Sequence, residues 1–245
     1  MAKIAVITGG ARRIGRAIAS HLHSLGFDIA LHYRSSADCA QALREELCRA
    51  RPDSCQLFQA DLQDAEQVDA LASALLARYR VIDLLVNNAS SFLPSPLATS
   101  TPALFDSLLS ANLRGPYFLI QGLLPGLRPG SASIVNILDV HMDIPLPHFN
   151  VYGAAKAGLA ALTRSLAVEL GPVIRVNGVA PGAILWPEGD DSYDAALREH
   201  TLQQTPLQRL GEPLDIARTV AFLACDAPFI TGQVIRVDGG RSLVG

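Results

Sequence analysis

Seven short apolar runs, separated by stretches with helical spacing, constrain this chain more than any other feature. The runs are Ile4–Thr8, Asp28–His32, Gln56–Ala60, Asp83–Asn87, Ser133–Leu138, Ile174–Val179 and Gln233–Val237. Between them, Ile14–Leu25, Ala37–Ala50, Ala65–Tyr79, Pro102–Leu124, Val151–Leu170 and Pro213–Ala224 carry apolar residues three and four apart, often bounded by Gly or Pro. A regular strand-then-helix order predicts a parallel sheet with helices on both faces, because a parallel pair needs a long crossover. With 245 residues, 49% of them hydrophobic, and no linker or repeat, the chain reads as one α/β domain over residues 1–245.

One segment breaks the rhythm. Pro181–Gln204 contains Pro181-Gly182, Pro187-Glu188-Gly189 and Asp190-Asp191 before a short helical stretch at Ala195–Gln203. Long insertions after the carboxyl end of a strand commonly close over ligands, so 181–204 reads as a substrate loop.

Charge and cysteine content exclude several functions. A formal charge of −3 gives no broad basic footprint for nucleic acid. Cys39, Cys48, Cys55 and Cys225 are irregularly spaced, without a C-x-x-C pair, and predict reduced thiols and no metal site. The amino terminus runs straight into a strand, and no stretch offers the roughly 20 apolar residues of a membrane span. A cytoplasmic protein is the expectation.

Thr8-Gly9-Gly10-Ala11-Arg12-Arg13-Ile14-Gly15 joins the first strand to the first helix, the setting in which a glycine-rich turn holds a pyrophosphate at a helix N-terminus. The end of the second strand reads His32-Tyr33-Arg34-Ser35-Ser36. An acidic residue there would hold both ribose hydroxyls of NAD; Arg34 and Ser35 instead suit a 2′-phosphate, which predicts NADPH/NADP+.

Tyr152 and Lys156, four apart on one helix, share a face. An ammonium beside a phenol favours the phenolate and eases proton exchange, so Tyr152 is the expected general acid or base. Asp139 falls at the carboxyl end of the fifth strand, where open α/β sheets place their sites. An ionised carboxylate is acceptor-only and opposes negative charge growing on a ketone oxygen. It suits a heteroaromatic ring with N–H groups, as acceptor or, if protonated, as donor.

These motifs resemble the short-chain dehydrogenase/reductase family, whose fold is a Rossmann-type, doubly wound, seven-stranded parallel sheet. The family keeps a serine at the place of Asp139, and a middle glycine at the place of Arg13. Aspartate and arginine there are similar to pteridine reductases, as is Ser90-Ser91-Phe92-Leu93-Pro94, in which serine touches the pterin and phenylalanine covers it. The resemblance implies catalytic Asp139, Tyr152 and Lys156. It implies cofactor contacts at Gly9, Arg13, Ile14, Tyr33, Arg34, Ser35, Asp61, Leu62, Asn88, Ala89, Tyr152, Lys156, Pro181, Gly182 and Ile184. Substrate contacts follow at Arg13, Ser90, Phe92, Asp139 and Tyr152. Asn112 matches a helix asparagine that helps link the lysine to water, and Asp238-Gly239-Gly240 a common ending.

The implied activity is NADPH-dependent reduction of a pterin such as dihydrobiopterin, dihydromonapterin or biopterin, with dihydrofolate as a further candidate, in a homotetramer. Two alternatives stand beside it. One is a short-chain reductase of a ketone or 3-oxoacyl thioester; the other, of a different class, is a non-catalytic NADP(H)-binding sensor.

Overall fold

The structure is a computed structural model that describes residues 2–127, 132–186 and 195–244. Strands β1 (Ile4–Ile7), β2 (Asp28–Tyr33), β3 (Cys55–Gln59), β4 (Leu84–Asn87), β5 (Ala132–Ile137), β6 (Ile174–Pro181) and β7 (Val234–Val237) form one sheet. Their order is β3-β2-β1-β4-β5-β6-β7, and every pairing is parallel. All seven apolar runs are therefore strands, with ends displaced by one or two residues.

Period-two alternation divides the core. Ile7, Leu31 and Val86 point to one face, packed with residues of helices α1 (Arg13–Ser24), α2 (Ala37–Ala50) and α8 (Pro213–Ala221). Their strand neighbours Val6, Ala30 and Leu85 point to the other, with α3 (Ala65–Arg78), α5 (Gly115–Leu123) and α6 (Asn150–Leu170). Each fully buried leucine or isoleucine contributes about 1.5–3 kcal/mol relative to exposure, so both faces must stay covered. The strand order reverses between β1 and β4, opening a crevice above their carboxyl ends.

The expected single helix over Pro102–Leu124 is corrected in one respect. It consists of α4 (Pro102–Leu109), a π-helical segment at Ser110–Arg114, and α5. Pro116 explains the change, since it has no N–H to return to the carbonyl four residues earlier, and the ladder widens just before it. The stretch Ala195–Gln203 is helical as expected and forms α7. Residues 187–194 of the anticipated substrate loop, with Pro187-Glu188-Gly189 and Asp190-Asp191, lie outside the described residues. Among the described residues no helix is long and apolar enough to cross a membrane.

Three buried polar side chains tie β4, β5 and α6 together. Asn87 Nδ2 donates to Asn136 Oδ1 at 2.8 Å, Asn136 Nδ2 donates to Thr163 Oγ1 at 2.9 Å, and Thr163 donates to the Leu159 carbonyl at 2.8 Å. Asn87 and Asn136 are direct partners in the β4–β5 register. Replacing Asn136 with alanine leaves the Asn87 amide a buried donor without an acceptor. Asn136→Ala is expected to lower stability by about 1–3 kcal/mol, measurable as a reduced urea midpoint with an unchanged m-value.

Candidate active site

The glycine-rich turn leaves β1 and crosses the carboxyl end of β4. Thr8 Oγ1 accepts from the main-chain N–H groups of Asn88 and Ala89 at 2.9 and 3.0 Å. Asn88 returns its side-chain amide to the carbonyls of Thr8 and Gly9, at 2.9 and 3.1 Å. The approach admits no side chain at two points. A Cβ on Gly9, where φ is +61°, would stand 2.9 Å from Ala89 Cα, and one on Gly15 would stand 2.2 Å from the Gly9 carbonyl oxygen.

Arg13 keeps the left-handed backbone of the glycine it replaces, at φ 52°. That conformation costs a residue with a Cβ about 1–2 kcal/mol. Its guanidinium donates to the carbonyls of Leu185 and Trp186 at 3.3 Å, linking the turn to the strap that follows β6.

A cleft of about 730 Å³ runs along the carboxyl edge of the sheet. It gathers the residues expected to be catalytic or to contact cofactor and substrate, but not Asn112 or Asp238-Gly239-Gly240: Gly9, Arg13 and Ile14 after β1, Tyr33, Arg34 and Ser35 at β2, and Asp61 and Leu62 after β3. Asn88, Ala89, Ser90 and Phe92 come from β4, Asp139 from β5, Tyr152 and Lys156 from α6, and Pro181, Gly182 and Ile184 from β6. The cradle fits a dinucleotide, given the two glycines that a Cβ would fill and an end of β2 without a carboxylate. Among the described residues the Arg34 guanidinium reaches only the Asp61 carboxylate, at 4.0 Å, and both are well exposed. Such a pair contributes little and leaves the guanidinium free to meet a phosphate.

At the other end, Tyr152 donates its phenolic hydrogen to Asp139 Oδ2 at 2.7 Å, while Asp139 Oδ1 accepts from the His141 N–H at 2.9 Å. Asp139 thereby caps the short 3-10 turn Val140–Met142 and holds one carboxylate oxygen toward the phenol. The phenol is buried, and burial together with the Asp139 charge pushes its pKa well above the usual value. This corrects the expectation of a lysine-favoured phenolate. Lys156 Nζ donates instead to the Ile137 carbonyl at 2.9 Å and lies 5.7 Å from the centre of the Tyr152 ring. Burial lowers the Lys156 pKa to about 8, with Asp139 working the other way.

Phe92 reaches the cleft with one face already used. Its ring stacks on Phe149, with centroids 4.3 Å apart, and meets the edge of Tyr152 at 4.8 Å. Phe149 escaped the sequence reading, although it stands three residues before Tyr152 at the start of α6. Ser95 also escaped it. This serine is fully buried, and its hydroxyl accepts from the Val151 N–H at 3.2 Å, capping α6 from the loop after β4 where Phe149 offers no cap.

Asn112, in the π-helical segment, commits its side chain to the same loop. Its Oδ1 accepts from Ser90 Oγ at 2.7 Å and the Ser91 N–H at 3.3 Å, and its Nδ2 donates to the carbonyls of Ser91 and Leu108, both at 2.9 Å. The side chain thus serves the Ser90–Phe92 loop, while Lys156 is held by the Ile137 carbonyl. Leu146, Trp186, Leu197 and Thr201 complete the wall, an apolar lining with no periodic signature in the sequence.

A family model described as enoyl-(acyl carrier protein) reductase matches residues 9–242. Among curated proteins, a 3-oxoacyl-(acyl-carrier-protein) reductase FabG of Staphylococcus aureus is 40% identical over 243 residues, covering 98% of each chain. The protein of that name from Staphylococcus epidermidis is 37% identical, over 98% of this chain and 99% of its own. Pteridine reductase 1 of Leishmania tarentolae is 35% identical, over 99% of this chain and 97% of its own.

Two outcomes test this geometry. Lys156 is charged at neutral pH and gives up its proton as pH rises through about 8. Any turnover that needs the ammonium is expected to fall across that point, well below an exposed lysine's range, in initial rates taken from about pH 6 to 10. Arg13→Gly removes the backbone strain and the guanidinium together. Its melting temperature is expected to match or exceed the wild type's, while titrated NADP+ binds about tenfold more weakly, one charge-assisted hydrogen bond's worth.

Proposed function

Because the chain belongs to the short-chain dehydrogenase/reductase family of nicotinamide-dependent oxidoreductases, we propose that it is an NADPH-dependent reductase of a pterin, such as dihydrobiopterin, dihydromonapterin or dihydrofolate. The observation that carries this reading is the contact of the Asp139 carboxylate with the Tyr152 phenol at 2.7 Å. A carboxylate raises the phenol's pKa and so weakens it as the proton donor that an isolated carbonyl requires. The same carboxylate accepts hydrogen bonds from ring N–H groups, which a pterin offers and a ketone lacks. Phe92, which lines the cleft and is steadied by Phe149, supplies an aromatic surface for a flat ring.

The glycine-rich turn, Arg34, Ser35 and the Pro181–Ile184 strap would hold the dinucleotide, and NADPH supplies a hydride when bound. Everything else is the work of this chain's own groups. Tyr152 keeps its hydrogen until the substrate takes it, Asp139 aligns the phenol and receives ring N–H groups, and Lys156 restores positive charge beneath the phenol. Ser90, held by Asn112, fixes the loop that carries Phe92. Tyr117, Phe118 and Val168, exposed on α5 and α6, support assembly as a homo-oligomer through those helices.

Reduction of a 3-oxoacyl thioester is the second reading, favoured by the 40% identity to FabG across nearly the whole chain. Overall identity counts every position of the chain alike; Asp139, at the carboxyl end of β5 in the cleft, bears on the substrate directly. Oxidation of NADPH is expected with a dihydropterin and is expected to be at least tenfold slower with an acetoacetyl thioester, a margin of about 1.4 kcal/mol. Asp139→Ser is expected to reverse that preference. A wild type that reduces the thioester and ignores every pterin establishes the second reading instead.

A further inference from the structure

His32 is a buried, titratable side chain that the proton relay does not use. It stands near the carboxyl end of β2, 2% exposed, with one ring nitrogen toward the glycine-rich turn and the other toward the end of β3. Nδ1 is 3.1 Å from the main-chain nitrogen of Gly9, and Nε2 is 3.0 Å from the carbonyl oxygen of Ala60. A peptide N–H can only donate and a carbonyl can only accept. The two partners therefore dictate one form of the ring, neutral, with its hydrogen on Nε2. The main chain grips the turn too, since the Gly10 N–H donates to the His32 carbonyl at 3.0 Å.

The turn needs such a grip. Gly9 sits at φ +61°, a left-handed backbone that glycine adopts without strain, and it has no side chain to hold it there. Gly9 opens the turn that leads to the N-terminus of α1, where a pyrophosphate would be held.

We propose that His32 is a positioning residue for dinucleotide binding: as a neutral imidazole with hydrogen on Nε2, it fixes the Gly9 N–H and so holds the glycine-rich turn in its binding shape. The inference rests on the dinucleotide reading of the cleft and is independent of the second substrate. A turn that visits other shapes weakens binding in proportion to the fraction of molecules left competent.

The surroundings favour the neutral ring. Burial lowers the His32 pKa to about 4, against the opposing pull of the Ala60 carbonyl and the Asp61 carboxylate. Arg12, Arg13 and Arg34, all cations, line the same cleft as the ring. A proton added at Nδ1 would set N–H against N–H at Gly9. With its folded pKa below the free value of 6.5, the contribution of His32 is complete at neutral pH and is lost as pH falls through about 4.

The test compares His32→Leu, which loses both contacts, with His32→Asn, whose Oδ1 falls where Nδ1 was and can accept from Gly9. NADP+ and NAD+ are titrated into the wild type by calorimetry near pH 7, and the tighter of the two is used for the variants. The leucine variant is expected to bind about tenfold more weakly, and the asparagine variant within about threefold of wild type, as restoring one buried hydrogen bond requires. In the wild type, the nitrogen-15 resonances of His32 are expected to show a bare Nδ1 and a protonated Nε2 unchanged down to about pH 5. A leucine variant that binds as tightly as wild type overturns the proposal. So does an asparagine variant no better than leucine, or a His32 resonance that titrates near 6.5. If the wild type binds neither dinucleotide, the cofactor reading falls and the proposal with it.

Discussion

The chain of buried amides from Asn87 through Asn136 to Thr163 sets the frame on which the site is hung. Apolar packing alone tolerates a strand that slides or a helix that rolls, because hydrophobic contact has no direction. Hydrogen bonds have both a length and an angle, and buried ones are costly to break. These join the strand before Asn88–Phe92, the strand before Asp139 and the helix bearing Tyr152 and Lys156. Three elements that share no sequence neighbourhood are thereby brought into fixed register at the edge where chemistry is possible.

Around that frame the site holds several locally unfavourable features. Arg13 occupies glycine's conformation. Lys156 keeps a buried ammonium on one carbonyl partner, and Tyr152 has a carboxylate against its hydroxyl. None of these helps the fold, and a more stable protein is easily imagined without them. Their concentration within one cleft is the pattern expected where stability yields to function. They also work together: the carboxylate that burdens the phenol is the charge that opposes burial in favour of the lysine's ammonium.

Most of the fold was legible because parallel strands buried on both faces read as unbroken apolar runs, and helices as three- and four-residue spacing. Site residues were legible where a turn follows a strand, as at Gly9, Asn88, Asp139 and Pro181. What stayed hidden depends on contacts across the fold. Phe149 is one more loop aromatic until Phe92 is seen against it, and Ser95 is an ordinary serine until α6 is found to lack its own cap. The partner chosen by Lys156 could not be read from its spacing to Tyr152, since the Ile137 carbonyl comes from another element. His32 lay in plain sight beside Arg34, yet its two partners come from different strands.

The π-helical segment at Ser110–Arg114 holds one residue more per turn than the helices it joins. In an α-helix each residue advances the azimuth by about 100°, so an extra one re-phases everything downstream of it. Within the segment, the insertion lets Asn112 turn inward to the Ser90 loop; downstream, it lets Leu119, Ile120 and Leu123 still meet α3. Two surfaces that a straight helix could not serve at once are thus reconciled by a local change of pitch. Lineages that gain or lose a single residue between Leu108 and Pro116 would have to choose between a seated loop and a sealed core.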